Sequence, residues 1–237
     1  MKNRWTEEGG YKQLLGVAVP LILSTAAWSV QHFVDRMFLS WYSSEAIAAA
    51  TPAGVLNFSI MSLFIGTASY VSTFVAQYYG AKRYHRIGPI LWQGVYISIL
   101  GEFFLISLIP LAAPLFDLIG HDQLVRSNEV IYFKILCLGG GPIIASSAMA
   151  GFFAGRGNTW PIMWVNLTAT LVNIVMDYVL IFGNWGSPEM GIKGAGIATA
   201  LSQVFAFFAY AVLILYISRG KNYHIPVSYT HLTLPTN

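Results

Sequence analysis

Six long apolar runs constrain the fold of this chain more than any other feature of its sequence. They cover approximately residues 14–41, 52–78, 88–116, 125–151, 160–183 and 191–218. A helix needs roughly 20 mostly apolar residues to cross the hydrocarbon core of a bilayer. The runs are separated by polar or glycine- and proline-containing stretches, namely WYSSEA, YYGAKRYHR, FDLIGHDQ, GRGNTW and GNWGSPEMG. This pattern predicts an all-α membrane protein with six transmembrane helices.

Composition agrees with a lipid-facing surface and argues against two other classes of protein. Only 10% of the 237 residues are charged, whereas a soluble domain has about a quarter of its residues charged. The net charge of +3 is small and dispersed, so nucleic acid is not expected as a partner. The single cysteine, Cys137, lies in an apolar run and provides neither a disulfide framework nor a Cys/His metal pattern.

The distribution of basic residues predicts the orientation of the chain. Cytoplasmic loops of membrane proteins are enriched in lysine and arginine. Nine of the thirteen such residues fall on one side: Lys2, Arg4, Lys12, Lys82, Arg83, Arg86, Arg156, Arg219 and Lys221. The other four, Arg36, Arg126, Lys134 and Lys193, fall near the opposite ends of the runs. Both ends of the chain are therefore expected to be cytoplasmic.

The chain divides into three segments. Residues 1–13 form a polar cytoplasmic segment without the features of a cleaved signal peptide. Residues 14–220 form the six-helix membrane region, and residues 221–237 form a truncated linker. The last eleven residues, VSYTHLTLPTN (227–237), match no span or expected loop. We interpret them as a non-native tail, with a genuine short cytoplasmic linker as the alternative.

A stripe of polar residues lies within the fifth run. Asn166, Thr170, Asn173 and Asp177 follow one another at spacings of four, three and four residues. At 3.6 residues per turn these four side chains share one face of a helix. A charged group is costly in lipid, so this face is expected to point toward protein or a water-filled cavity.

The first run repeats this arrangement. Its polar face comprises Ser24, Trp28, Gln31 and Asp35 at the same spacing, with Ser29 and His32 beside them. In the predicted orientation Asp35 and Asp177 both lie in the outer halves of their helices. Thr199, eight residues into the sixth run, lies at a similar depth. Three helices are therefore expected to bring polar groups to one level of the membrane.

Two buried carboxylates at one depth suggest an ion site. Such groups lose hydration and repel each other, so a shared proton or a small hard cation would stabilise the pair. Asn173, one turn from Asp177, adds an amide oxygen. The residues therefore predict a site that binds and releases H⁺ or Na⁺, and the same oxygens serve either ion. No other cofactor is expected.

Several of these residues also have structural interpretations. Asn166 and Thr170 could line a cavity or form hydrogen bonds between helices, the commoner role of such residues. Trp28 could be a packing aromatic. His32 fits a packed or cavity-lining histidine better than a metal ligand, because no second histidine has ligand spacing. Glu102, in LGEFFLISL, could be a structural partner or a titrating site.

Glycine and proline predict where the helices bend. Gly139-Gly140-Gly141-Pro142 lies in the middle of the fourth run, where proline removes a backbone hydrogen bond and glycine lowers the cost of bending. Pro20 and Pro110 are expected to interrupt their runs as well. Bending around an ion site would suit alternating access, and simple packing kinks are the alternative.

Five stretches of the sequence resemble one transporter family. They are, in order, AVPLILSTAAWSVQHFVDRMFLSW, VAQYYGAKRYHRIG, GFFAGRGNTWPIM, VNIVMDYVLIFG and GSPEMGIKGAGIATALSQ. In these motifs the chain resembles the multidrug and toxic compound extrusion family, in its bacterial NorM-like branch. The resemblance runs from about residue 12 to residue 220.

The resemblance implies a fold, a function and a set of site residues. The family's fold has twelve helices in two related six-helix lobes, which export organic cations and other amphipathic compounds by Na⁺ or H⁺ antiport. Its amino-terminal ion site corresponds here to Asp35, Asn173, Asp177, Thr199 and Ala195, of which the first three would hold Na⁺. Ion binding there is thought to bend the first helix and expel the drug, and the proline early in that helix is matched by Pro20.

The same resemblance predicts partners and location. The chain corresponds to the first lobe only, so we expect its missing partner to be the carboxyl-terminal lobe of the same protein. The other expected partners are the lipid bilayer of the bacterial inner membrane and a small organic substrate.

Three other functions remain as alternatives. A flippase for lipid-linked sugars, from the same superfamily, would be expected to have a more basic cavity. A membrane-embedded enzyme acting on lipid phosphates would need clustered carboxylates for Mg²⁺ or a nucleophile–base pair, and no acid-rich cluster occurs. A passive structural subunit would not need converging carboxylates. We therefore expect a transporter and not an enzyme.

Overall fold

The computed structural model describes residues 5, 7, 10–219, 223 and 225. The helices are α1 (Tyr11–Tyr42), α2 (Ser44–Ser69), α3 (Val71–Gly80), α4 (Ile87–Ser107), α5 (Ala112–Asp117), α6 (Gln123–Leu138), α7 (Gly140–Ala154), α8 (Trp160–Phe182) and α9 (Ile192–Ser218). Short 3₁₀ turns occupy Tyr84–Arg86, Ile109–Leu111 and Asn184–Gly186. The segment 227–237, which we interpret as a non-native tail, lies outside the described residues. So do three of the basic residues that predict the orientation: Lys2, Arg4 and Lys221.

The helices confirm the prediction of an all-α membrane protein with six spans. Five segments are long and apolar enough to cross a membrane: Tyr11–Tyr42, Ser44–Gly80, Tyr84–Asp117, Trp160–Phe182 and Ile192–Ser218. The pair α6 and α7 qualifies as a sixth span if it is counted as one bent helix. The second span begins at Ser44, eight residues before the predicted start at 52, because the Ser43 side chain caps the helix by accepting from the Ala46 amide and the alanines that follow favour a helix.

The predicted bend in the fourth span is present. α6 ends at Leu138, α7 begins at Gly140, and their axes differ by 45°. Pro110 lies in the 3₁₀ turn Ile109–Leu111, which separates α4 from α5. The predicted interruption of the third run is therefore present. The prediction for Pro20 was wrong, because α1 continues through this buried residue without a break.

Helix packing places α1 and α8 side by side. α8 packs mainly against α1 and α9, and α9 continues the contact to α6 and α7. On the other side, α2 packs against α6 and α4 against α7. A methyl group at Gly94 on α4 would lie 2.5 Å from Cβ of Ala148 on α7, so this glycine permits the close approach of the two helices. This arrangement brings the polar faces of α1 and α8 together.

An aromatic cluster forms at one end of the helices. The guanidinium carbon of Arg156 lies 4.7 Å from the ring centre of Phe152, 5.8 Å from that of Tyr79 and 5.4 Å from that of Tyr223. The backbone amide of Gly88 donates to the Tyr223 carbonyl over 2.9 Å. The regions that follow the second, fourth and sixth spans therefore meet at one end of the helices. This is expected if successive spans cross the membrane in alternating directions. Which side of the membrane this end faces stays a prediction.

Candidate functional site

The polar faces of α1 and α8 meet in the interior. Asp177 and Asn173 are fully buried, and 6% of Asp35 is exposed. The outward faces of the same helices carry exposed apolar side chains such as Val30 and Leu171. The four-three-four spacing therefore separates a lipid-compatible face from a polar one, because it follows the helical repeat.

Asn173 lies between the two carboxylates. With its amide nitrogen turned toward them, Asn173 donates to Oδ1 of Asp35 over 2.9 Å and to Oδ2 of Asp177 over 3.3 Å. In the opposite orientation the amide oxygen would face only acceptors, so the donating orientation suits two ionised carboxylates. One amide thus connects α1 and α8 through both acidic residues.

The two carboxyl groups also contact each other. Asp35 and Asp177 lie within hydrogen-bonding reach, although an ionised carboxylate can only accept hydrogen bonds. Oδ1 of Asp177 is buried and has no hydrogen-bond partner in the described part of the chain. A proton shared between the two groups, or a cation bound beside them, would remove the repulsion and would give the buried oxygen of Asp177 a partner.

The oxygen atoms of this cluster fit a proton or an alkali cation better than a transition metal. Two carboxylates and one amide offer hard oxygen ligands. Among the described residues, no group of three or more His, Cys, Asp or Glu side chains could hold a metal ion. If Na⁺ binds, Asp35, Asn173 and Asp177 would hold it.

A cavity of about 300 Å³ opens beside Asp35. It lies between α1, α2, α6, α7 and α9, and its lining residues are Trp28, Gln31, His32, Asp35, Arg36, Gly54, Val55, Asn57, Phe58, Met61, Tyr132, Leu136, Ile143, Thr199 and Gln203. Asp35 therefore belongs both to the carboxylate cluster and to the cavity wall, whereas Asn173 and Asp177 lie behind it.

Several predicted residues line this cavity. Trp28, Gln31, His32 and Thr199 all do so, and the rings of Trp28 and His32 contact each other edge to face at 5.5 Å. Ala195 is buried but is not part of the cavity wall. The structure therefore brings the polar face of α1 and the predicted residue of α9 to one space.

Asn166 and Thr170 do not line this cavity, so of the two roles that the sequence left open for them they take the structural one. Asn166 donates to Oγ of Ser24 over 2.5 Å and accepts from Oη of Tyr210 over 3.0 Å. Thr170 lies 3.4 Å from the Ala27 carbonyl. The physical reason is that α1 covers this part of α8, so the two side chains form hydrogen bonds between helices.

Sequence reasoning missed four polar residues of the cavity: Arg36, Asn57, Tyr132 and Gln203. Arg36 was predicted to flank the end of the first span. Asn57 and Gln203 are isolated polar residues in apolar runs, and polar residues inside a span are a usable signal of function. The Tyr132 hydroxyl lies within hydrogen-bonding reach of Thr199, a contact between α6 and α9 that no spacing within one helix could reveal.

Glu102 has a structural partner. Its Oε2 accepts a hydrogen bond from the backbone amide of Gly141, in the first turn of α7. The first four amides of a helix lack partners within the helix, and a carboxylate at this end also interacts favourably with the helix dipole. Glu102 therefore holds the bend between α6 and α7.

Comparisons with known proteins agree with this architecture. The family model MatE matches residues 20–179. The probable multidrug resistance protein NorM of Synechocystis sp. is 30% identical over 229 residues, which cover 93% of this chain and 48% of that protein. The probable multidrug resistance protein NorM of Geobacillus kaustophilus is 26% identical over 222 residues, covering 93% of this chain and 49% of that protein.

Solved structures share the fold. The outward-facing conformation of a multidrug resistance MATE family transporter of the MOP superfamily has a TM-score of 0.80 at 22% identity, covering 90% of this chain and 47% of that chain. The crystal structure of MATE in the straight conformation has a TM-score of 0.79 at 22% identity, covering 89% of this chain and 46% of that chain. The chain spans about half the length of the curated relatives it matches. It belongs to the MatE family, the multidrug and toxic compound extrusion family that its sequence motifs indicate.

Proposed function

We propose that this chain is the amino-terminal lobe of a cation-coupled multidrug exporter in the bacterial inner membrane, with both of its ends in the cytoplasm. The observation that carries the proposal is the buried cluster of Asp35, Asn173 and Asp177. Membrane-embedded ionisable groups are functional sites by default. The curated relatives bear the name of a probable multidrug resistance protein, which supports export of small organic compounds as the activity.

In this proposal the cluster binds one coupling cation, H⁺ or Na⁺. Binding neutralises part of the charge shared by Asp35 and Asp177. Because Asp35 also lines the cavity, this change reaches the space in which a substrate would bind. A cationic substrate and the coupling cation would then compete for the same negative charge, which is the basis of antiport.

The second lobe of the exporter would be supplied by the same protein. The relatives are about twice as long as this chain. We therefore expect the reading frame downstream of residue 226 to encode six further apolar runs, each of about 20 residues. A continuous frame without such runs would count against this part of the proposal.

Transport by the continuous reading frame that contains this chain tests the proposal. The purified protein would be placed in proteoliposomes with a fluorescent organic cation as cargo, and Na⁺ and pH gradients would be imposed separately. We expect one gradient to drive export and Asp177→Asn to abolish that export without loss of membrane insertion. Asp117→Asn, which removes an exposed carboxylate paired with Arg126, is the matched control and should keep wild-type export. Wild-type export by Asp177→Asn would contradict the assignment.

A further inference from the structure

A groove of about 400 Å³ lies between α4, α7 and α9. Its apolar wall includes Val95, Ile99, Phe103, Ile106, Pro142 and Phe207. Neither Asp35, Asn173 nor Asp177 lines it, and it shares no lining residue with the cavity beside Asp35. The groove is therefore a second space on the molecule, separate from the carboxylate cluster.

The groove opens toward the lipid. Ile99 and Phe103 of its wall are 48% and 69% exposed, and both belong to the apolar segment Tyr84–Asp117, which is long enough to cross a membrane. Exposed apolar side chains of a membrane span contact lipid chains. The volume of about 400 Å³ also falls within the range of small-molecule sites, which is about 300–1,000 Å³. The size and the apolar wall therefore suit a ligand that is dissolved in the bilayer.

Glu102 on α4 is the only charged residue among the described residues that line the groove. Its Oε2 accepts a hydrogen bond from the Gly141 amide, and a methyl group at Gly141 would lie 3.1 Å from this oxygen. Oε1 has no hydrogen-bond partner in the described part of the chain, and it is not one of the buried atoms that lack a partner. Oε1 is therefore accessible and can accept a hydrogen bond from a ligand.

The carboxyl group decides which class of ligand fits. A carboxyl group that faces lipid is costly without a partner, and an amine supplies N–H donors together with the complementary charge. An anion would be repelled, and an uncharged chain would leave Oε1 unpaired. A metal ion would need several oxygen ligands, but the only other polar side chain described in the wall is Ser98, whose hydroxyl donates to the Val95 carbonyl.

We propose that this groove binds lipophilic amines from the bilayer, with the ammonium group on Oε1 of Glu102 and the alkyl or aryl part against Ile99, Phe103 and Phe207. Oε2 keeps the Gly141 amide, so the ligand adds a contact at the residue that holds the bend between α6 and α7. The site uses neither the carboxylate cluster nor the cavity beside it. It is therefore a binding function beyond the proposed export and does not depend on it.

The test compares two photoactivatable probes on the purified product of the continuous reading frame, in phosphatidylcholine nanodiscs without an ion gradient. One probe is octadecylamine and the other is octadecanol, each with a diazirine at the same carbon near the head group. Peptide mass spectrometry after illumination gives the labelled fraction at Phe103 and Phe207. We expect the amine to label these residues at least roughly tenfold more than the alcohol, because a hydrogen bond to a charged group is worth about that factor. Leu171, exposed on α8, should be labelled equally by both probes.

Three variants decide the role of Glu102. Glu102→Gln keeps an acceptor for the Gly141 amide but removes the charge, so both probes should label the groove equally. Glu102→Asp keeps the charge on a shorter side chain and should keep part of the preference. Glu45→Gln, which removes the same kind of side chain in the first turn of α2, should keep all of it. If Glu102→Gln does not fold, the wild-type ratio and its decline in Glu102→Asp remain decisive.

Three results would overturn the proposal: equal labelling of the groove by both probes in the wild-type protein, labelling by neither, or an amine preference that survives in Glu102→Gln. Equal labelling would mean that lipid chains fill the groove without regard to the head group. A purely structural Glu102 would change stability and leave the ratio of the two probes at one. Failure of the proposed function is a separate result, because it would appear as missing gradient-driven export while the amine preference at the groove persisted.

Discussion

The carboxyl groups of Asp35 on α1 and Asp177 on α8 lie within hydrogen-bonding reach of each other, and the amide of Asn173 contacts both. Two carboxylates held this close repel each other and are poorly hydrated. The folded chain therefore keeps a locally unfavourable arrangement. Such arrangements are common at functional sites, where stability is lower than the fold would otherwise allow.

Asp177→Asn should therefore stabilise the chain while removing its response to the coupling cation. The substitution keeps the size of the side chain and removes one of two repelling charges. In Na⁺-free buffer, at a pH high enough to remove the proton that the pair shares, we expect the free energy of unfolding to rise by about 1–3 kcal/mol. Thermal unfolding of the detergent-purified chain measures this change. Asp117→Asn should change stability by no more than about 0.5 kcal/mol, and a destabilised Asp177→Asn would argue for a packing role of the pair.

Asn166 and Asn173, two turns apart on α8, should respond differently to alanine substitution. Asn166 connects α8 to Ser24 and Tyr210, so Asn166→Ala should lower stability by about 1–2 kcal/mol. It should leave intact the thermal shift that the coupling cation produces. Asn173→Ala should abolish that shift, since ligand binding stabilises only a chain that retains its site. Loss of the shift in Asn166→Ala, or its retention in Asn173→Ala, would reverse the two assignments.

The spans and the inward polar faces could be predicted because both depend on periodicity within one helix. Length and apolar composition identify a span, and the helical repeat identifies the shared face of Asn173 and Asp177. The break in GGGP was also predictable, since glycine and proline act locally on the backbone. Pro20 shows the limit of that reasoning, because the helix tolerates this proline without a break.

The lining of the cavity could not be predicted with the same success. Whether Asn166 faces a cavity or another helix depends on how far α1 covers α8, which is a property of two helices. Tyr132 meets Thr199 only because α6 and α9 pack together. Arg36 was missed because a charge near the end of a run fits a flanking position as well as an inward one. Packing between helices decides each of these cases.

Glu102 offers a test of whether a membrane carboxylate can be structural. Glu102→Ala leaves the amide of Gly141 without its acceptor and should cost about 1–2 kcal/mol of stability. Glu102→Gln keeps an acceptor oxygen, so its cost should be smaller. Both variants should retain gradient-driven export in the proteoliposome assay. Loss of export in a stably folded Glu102→Gln would instead support a titrating role.

Gly194 on α9 should tolerate no side chain, because α8 lies directly against it. A methyl group there would lie 2.5 Å from the carbonyl oxygen and 2.6 Å from the carbonyl carbon of Leu180. Backbone atoms of a packed helix cannot move aside as a flexible side chain can. Gly194→Ala should therefore separate the two helices and lower the free energy of unfolding by about 1–3 kcal/mol.

Gly66→Ala on α2 is the matched control for this substitution. In the described part of the chain, a methyl group at Gly66 would have no atom of another helix within 4 Å. Alanine favours a helix over glycine by about 1 kcal/mol, so the control should be neutral or stabilising. Thermal unfolding of the two variants gives the comparison. Because Thr199 lies on the same helix as Gly194, separation of α8 and α9 should also weaken the thermal shift produced by the coupling cation. Equal stability of the two variants would show that the approach of α8 and α9 is looser than these distances require.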